Sequence, residues 1–220
     1  GQFQFDNNQN AANYSETVGV LNIQGGANQI VTDSAAANQT LALTFASLSM
    51  SQGAALNFTN FATTGDIAIG ENARNRVIFT TDPATTNGIM GGNVYFTKNF
   101  SAAATFDPVD FAAYDIDTDG AGADTEDGVF AFSNYNSGAE STWLPTSVVR
   151  PPASASLTTD RTVHAVKLNV GVNLEIGAGQ KLNVASGGII YNPNSAQDST
   201  STISGGTLTA GGAGAGELAI

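Results

Sequence analysis

A short alternating segment that returns along the chain is what most narrows the folds open to it. Leu48-Ser49-Met50 is followed eight residues later by Leu56-Asn57-Phe58, across Ser51-Gln52-Gly53-Ala54-Ala55. The figure comes back as Leu174-Glu175-Ile176 and Leu182-Asn183-Val184, across Gly177-Ala178-Gly179-Gln180-Lys181. Apolar and polar residues alternate, so each segment has one face for burial and one for water, as a strand requires. The linkers are too short for a helix and rich in Gly or Ala. Repetition of such units predicts strands that stack.

The same period of two runs through most of the chain. Phe3 and Phe5 open it, followed by Val18, Val20 and Ile23, then Leu41, Leu43 and Phe45. Ile67-Ala68-Ile69, Val77-Ile78-Phe79 and Val94-Tyr95-Phe96 continue it, bounded by Gly, Asn, Asp and Pro clusters. One helical turn is predicted, from Pro108 to Tyr114, with Asp107 as its cap. From Val163 the alternation resumes in Val166, Leu168 and Val170, and Gly187-Gly188 and Gly205-Gly206 supply tight corners. Parallel β-helices are built this way, and coils of roughly 20–25 residues would give about nine or ten of them. A β-sandwich is the alternative. Its hairpin signals are scarce, Asn87-Gly88 being the one Asn-Gly dipeptide.

Composition narrows the function classes. Charged residues are 12% of the chain, about half the usual share, while hydrophobic residues reach 41%. Solubility therefore rests on hydroxyls and amides. A net charge of −12 repels nucleic acid and anionic membranes. The absence of cysteine excludes disulfides and thiolate metal sites. No apolar run approaches the length of a membrane span as a helix. Gly1 at the start, and Glu217-Leu218-Ala219-Ile220 at the end, predict a processed chain or a piece of a longer one.

Between about Asn99 and Pro152 the rhythm breaks. This stretch holds six acids from Asp115 to Asp127, the single tryptophan Trp143, and the stiff Arg150-Pro151-Pro152, which cannot sit in a central strand. The expected organisation is a single domain: β-solenoid coils over 1–98, an acidic and aromatic insertion over 99–152, and coils again over 153–220. The insertion is expected as a lateral loop packed on the stack.

Leu182-Asn183-Val184-Ala185-Ser186-Gly187-Gly188-Ile189-Ile190 and Ile203-Ser204-Gly205-Gly206-Thr207-Leu208-Thr209-Ala210-Gly211 resemble the autotransporter-associated β-strand repeat proteins, as does the closing Glu217–Ile220. Leu43-Thr44-Phe45-Ala46-Ser47-Leu48, Gly53-Ala54-Ala55-Leu56-Asn57-Phe58 and Asp110-Phe111-Ala112-Ala113-Tyr114-Asp115 are similar in style. These are large secreted bacterial surface proteins. The resemblance covers most of the chain through degenerate motifs. It implies an all-β, right-handed parallel β-helix, exported and displayed at the cell surface. The family has no defined catalytic residues, so none carries over. The acidic insertion departs from its pattern.

The one motif with chemical content is Asp115-x-Asp117-x-Asp119-Gly120 with Glu126 at the twelfth position, the spacing of an EF-hand calcium loop. Alternate carboxylates face one point, Gly120 makes the sharp turn, the Ala121 carbonyl adds an oxygen and Glu126 closes the site for Ca²⁺. Gly122 replaces the usual aliphatic residue and neither flank is a convincing helix. A solvated acidic loop is the competing reading.

Other candidates are weaker. Trp143 and Tyr135 could stack on carbohydrate, or simply pack the insertion. A polysaccharide lyase would draw its base from Arg150, Lys98 or Arg161, and a hydrolase its carboxylate pair from Asp107 and Asp110. His164 reads as a surface or rung-edge residue. Asn13, Asn38, Asn57 and Asn99 fit the glycosylation rule, as chance allows in so Asn- and Thr-rich a chain. The sequence thus predicts a non-enzymatic, extracellular structural protein that self-associates, as a filament or homo-oligomer. A carbohydrate-binding adhesive module is the alternative, and a polysaccharide lyase or hydrolase a more distant one.

Overall fold

The computed structural model describes residues 1–7, 13–34, 40–61, 69, 75–100, 109–115, 128–192 and 200–211. Among these the chain is all-β, with several parallel sheets, one 3₁₀ turn at Glu140–Thr142 and no α-helix. The chain divides into two units, residues 1–90, 94–107 and 111–132, and residues 91–93, 108–110 and 133–220.

The first unit holds β1 (Gln2–Asn7), β2 (Tyr14–Val18), β3 (Leu21–Ile23), β4 (Gly26–Ser34), β5 (Leu41–Phe45) and β6 (Leu48–Met50). It continues with β7 (Ala54–Phe61), β8 (Asn75–Phe79), β9 (Val94–Phe100), β10 (Asp110–Asp115) and β11 (Gly128–Ala131), of which Asp110 goes with the second unit. They form sheets ordered β1-β4-β7-β9-β10-β11, β2-β5-β8 and β3-β6. Three separate pairings share one spacing. Gln2 lies opposite Gln29, Tyr14 opposite Leu41 and Leu21 opposite Leu48, so every strand of the first three meets its parallel partner 27 residues on. The spacing is 28 from Gly26 to Ala54, then widens to 34 from Leu41 to Asn75 and 38 from Leu56 to Val94.

In-register parallel pairing places like positions over one another, and the core follows from that. Ile30, Phe58 and Phe96 form one buried column, and Phe45 and Phe79 another, with rings stacked at 5.7 Å. Phe79 also meets Phe58 edge-on at 6.4 Å and Tyr114 at 5.7 Å. The Tyr114 hydroxyl accepts from the Phe79 N–H and donates to the Phe79 carbonyl, each at 3.0 Å, so it satisfies β8 along that stretch. Each phenylalanine taken from water in this way contributes roughly 1.5–3 kcal/mol.

Two expectations change here. The residues predicted as a helical turn form strand β10, with Phe111, Ala112 and Ala113 all buried. A short unbroken apolar run fits a strand covered on both faces as well as a helix, and no periodicity separates the two. The recurring figure also has another meaning. Leu48-Ser49-Met50 and Leu56-Asn57-Phe58 belong to β6 and β7, in different sheets, and do not pair. Their eight-residue spacing marks a corner, and stacking follows the longer interval.

The second unit holds β12 (Val148–Val149), β13 (Ala155–Leu157), β14 (Arg161–Val163), β15 (Ala165–Asn169), β16 (Leu174–Val184), β17 (Ile189–Asn192) and β18 (Ile203–Ala210). One sheet is ordered β12-β15-β17, and the other β13-β16-β14 with β18 also on β16, all in parallel. Spacings are shorter: 19 from Ala155 to Leu174, 21 from Arg161 to Leu182 and 23 from Val166 to Ile189. Strand β16 contains both later members of the recurring figure, and its register to β18 shifts between Ile176 and Lys181. Gly205 fits that irregularity because its φ is +84° and a Cβ would fall 2.1 Å from the Ile176 carbonyl oxygen. Leu157, Val163, Val166, Leu174, Ile176, Leu182 and Val184 fill the core, with Trp143.

Within 99–152, the described segments take strand positions rather than standing outside the sheets. β10 and β11 end the six-stranded sheet, the pair running antiparallel, and β12 pairs with β15.

Candidate functional site

The acidic motif begins on described structure and then leaves it. Asp115 ends β10 half-buried, opposite Gly128 at the start of β11. Asp117, Asp119, Ala121 and Glu126 lie outside the described residues. The strands on either side pair from Ala112 with Ala131 to Asp115 with Gly128, so the acidic run is bracketed by a closed antiparallel pair and flanked by strands, not helices. Among the described residues no three His, Asp or Glu side chains gather as a metal-ligand set.

Trp143 is 4% exposed, part of the aliphatic core, and its indole N–H donates to the Gly138 carbonyl at 3.1 Å. Its ring presents no open face. Tyr135 has a different setting. It is half-buried, and its hydroxyl donates to Asp110 Oδ1 at 2.8 Å. The same oxygen accepts from Lys167 Nζ. Lys167 Nζ lies 5.1 Å from the centroid of the Tyr135 ring, and Arg150 Cζ lies 4.9 Å from it. One aromatic ring thus holds two cations by its quadrupole, and one carboxylate oxygen ties the ring's hydroxyl to one of them.

The surrounding chain explains why these groups stay in place. The Arg150 N–H donates to the Asn136 carbonyl at 3.0 Å, and Pro151, which is buried, stiffens the next position. Asn136 is locked in turn, its amide donating to the Thr142 carbonyl at 3.1 Å and to Ser147 Oγ at 3.2 Å. Lys167 sits in β15, where Ala165, Val166 and Leu168 are buried with it. A lysine inside such a run needs a partner, and Asp110 supplies it.

The remaining candidates are dispersed. Arg161 pairs with Glu140, Nε to Oε2 at 2.6 Å, while Thr158 Oγ1 donates to Glu140 Oε1 at 3.0 Å. The Arg161 hydrogen bond holds the Glu140 carboxyl below its usual range. Lys98 lies in β9, and Asp107 falls outside the described residues. The catalytic sets considered from sequence are therefore not assembled among the described residues. His164 is buried at 7% exposure, not at the surface; its carbonyl accepts from Ser186 N–H and Oγ. Asn57 is fully buried and its amide donates to Thr97 Oγ1 at 3.0 Å, which explains a polar residue inside β7. Burial pushes the phenol of neighbouring Tyr95 up to about 12.

Lys167 is the residue that sequence reading passed over. Its signal is visible in retrospect: one charge between Val166 and Leu168, in a chain with 7 basic residues in all. Compared with known proteins, the chain has no match to a family model and no significant match to a curated protein or a solved structure.

Proposed function

We propose that this chain is a non-enzymatic extracellular structural protein, a right-handed parallel β-helix of a bacterial surface or matrix that self-associates. One observation carries the reading. Three strands in succession each meet their parallel partner at the same 27-residue interval. A chain that passes through three sheets and returns to the first, one strand further on, is advancing by a coil. Backbone hydrogen bonds then template each coil on the last, and stacked arrays of this kind act as spacers and fibres. The low charge and abundant hydroxyls support secretion, and the resemblance of the quoted segments to autotransporter-associated repeats supports surface display. An edge of parallel strands is open to further pairing, which is the physical basis for self-association.

The acidic run is proposed as a Ca²⁺ loop of that scaffold. Its EF-hand spacing supports this, as does the pairing of Asp115 with Gly128, which draws together the chain on either side of the run. Electron micrographs of the purified protein, with calcium and with chelator, test both readings. Rod-shaped particles or filaments are expected, with a higher melting temperature in calcium. Globular particles that stay monomeric at high concentration would overturn the scaffold reading. A melting temperature that ignores chelator would overturn the calcium loop.

A further inference from the structure

The cluster on Tyr135 holds more positive charge than its own acid balances. Lys167 and Arg150 bring two cations to one ring, and Asp110 brings one carboxylate. The Lys167 side chain is 5% exposed, and an ammonium has three donors. Asp110 Oδ1 takes one of them and is already shared with the Tyr135 hydroxyl. Arg150 is the more telling member. Among the described residues its guanidinium meets no carboxylate and no hydrogen-bond acceptor, only the face of Tyr135. The chain has 19 acids and 7 basic residues, so an arginine left without an acid runs against its composition.

A guanidinium laid over a ring keeps its N–H edge in its own plane, directed away from the ring. That edge carries five donors in a fixed fork, and the fork fits two oxygens of one carboxylate or phosphate. Backbone bonding to Asn136 and the adjacent Pro151 hold Arg150 ready, so little freedom is lost on binding. We propose that Arg150 and Lys167, held on Tyr135, form a subsite for one oxyanion, a carboxylate or phosphate borne by a ligand from outside the chain. The subsite goes beyond the structural role above and stands without it.

The test is thermal melting and calorimetric titration of the full chain with sodium glucuronate, with inorganic phosphate, and with sodium chloride at equal ionic strength. At least one oxyanion should raise the melting temperature more than chloride does. Response to glucuronate alone identifies a carboxylated sugar as the source, and response to phosphate alone a phosphoryl group. Arg150→Gln, which removes no hydrogen bond made by the side chain within the described protein, should weaken binding at least tenfold. Arg150→Lys keeps the charge without the fork and should fall between the two. The proposal fails if neither oxyanion outdoes chloride, or if both variants bind as the unaltered chain does.

Discussion

The two units are built on the same parallel pairing but fill their interiors differently. In the first, strands meet at intervals of 27 and 28 residues and the core is led by Phe45, Phe58, Phe79 and Phe96. In the second, intervals of 19 to 23 residues accompany a core of Val, Leu and Ile, with Trp143 as its one large ring. On the β-helical reading the cause is geometric. A longer coil encloses a wider cross-section, and interiors must be filled to crystal-like density. Wide coils take phenylalanine; narrow ones take branched aliphatics, which leave no room for more.

The largest effect should come from breaking that match. Phe79→Ala removes a ring that meets Phe45, Phe58 and Tyr114, and should cost roughly 3–5 kcal/mol in urea unfolding. Leu182→Ala in the second unit should fall at about 2–5 kcal/mol and create a smaller void. Equal losses would say that the width of the interior does not govern the choice of side chain.

The units should also fail at opposite ends of the pH scale. Below pH 10 the Tyr95 phenol is neutral in folded and unfolded chains alike. As pH rises from 10 to about 12 the unfolded chain sheds the proton and the buried phenol keeps it, so up to about 3 kcal/mol of stability is lost. Burial raises Tyr114 in the same direction, and adds to the fall. Glu140 has the contrary sign. Arg161 favours its ionised form, so that stabilisation is present above the ordinary carboxyl value and lost as pH falls through the lowered one. Near-ultraviolet tyrosine signals should report the alkaline loss and Trp143 fluorescence the acid one. Arg161→Met should flatten the acid limb alone.

The smallest contrast lies between two glycines of the second unit. Gly205 and Gly179 both have positive φ, at 84° and 77°. Alanine at Gly179 meets nothing within 4 Å and should cost about 1–2 kcal/mol from the backbone alone. At Gly205 the added carbon would press on the Ile176 carbonyl, so Gly205→Ala should cost clearly more in the same melts. Comparable losses would mean that β16 and β18 can part there without penalty.

Much of the strand content was legible in the sequence, because burial on one face writes an alternation that survives without tertiary information. Leu41, Leu43 and Phe45 illustrate it, with every second residue of β5 buried. The stacking interval was not legible. It depends on how much chain each corner consumes, and the eight-residue return of Leu-x-Met and Leu-x-Phe advertised the corner instead. β10 was misread because burial on both faces erases the alternation. The Tyr135 cluster was half visible: Arg150 and Asp110 were candidates for separate chemistries, but only the fold brings them to one ring with Lys167.

The constant interval in the first three pairings has a consequence for how such a chain can change length. Excising 27 consecutive residues from 1–54 would set each remaining strand against a partner of the same register, with apolar positions still facing inward. Excising 26 would turn every side chain beyond the cut to the opposite face. Besides the triplet frame of its gene, this region carries a second frame in space, and lineages could lengthen or shorten it only in whole words.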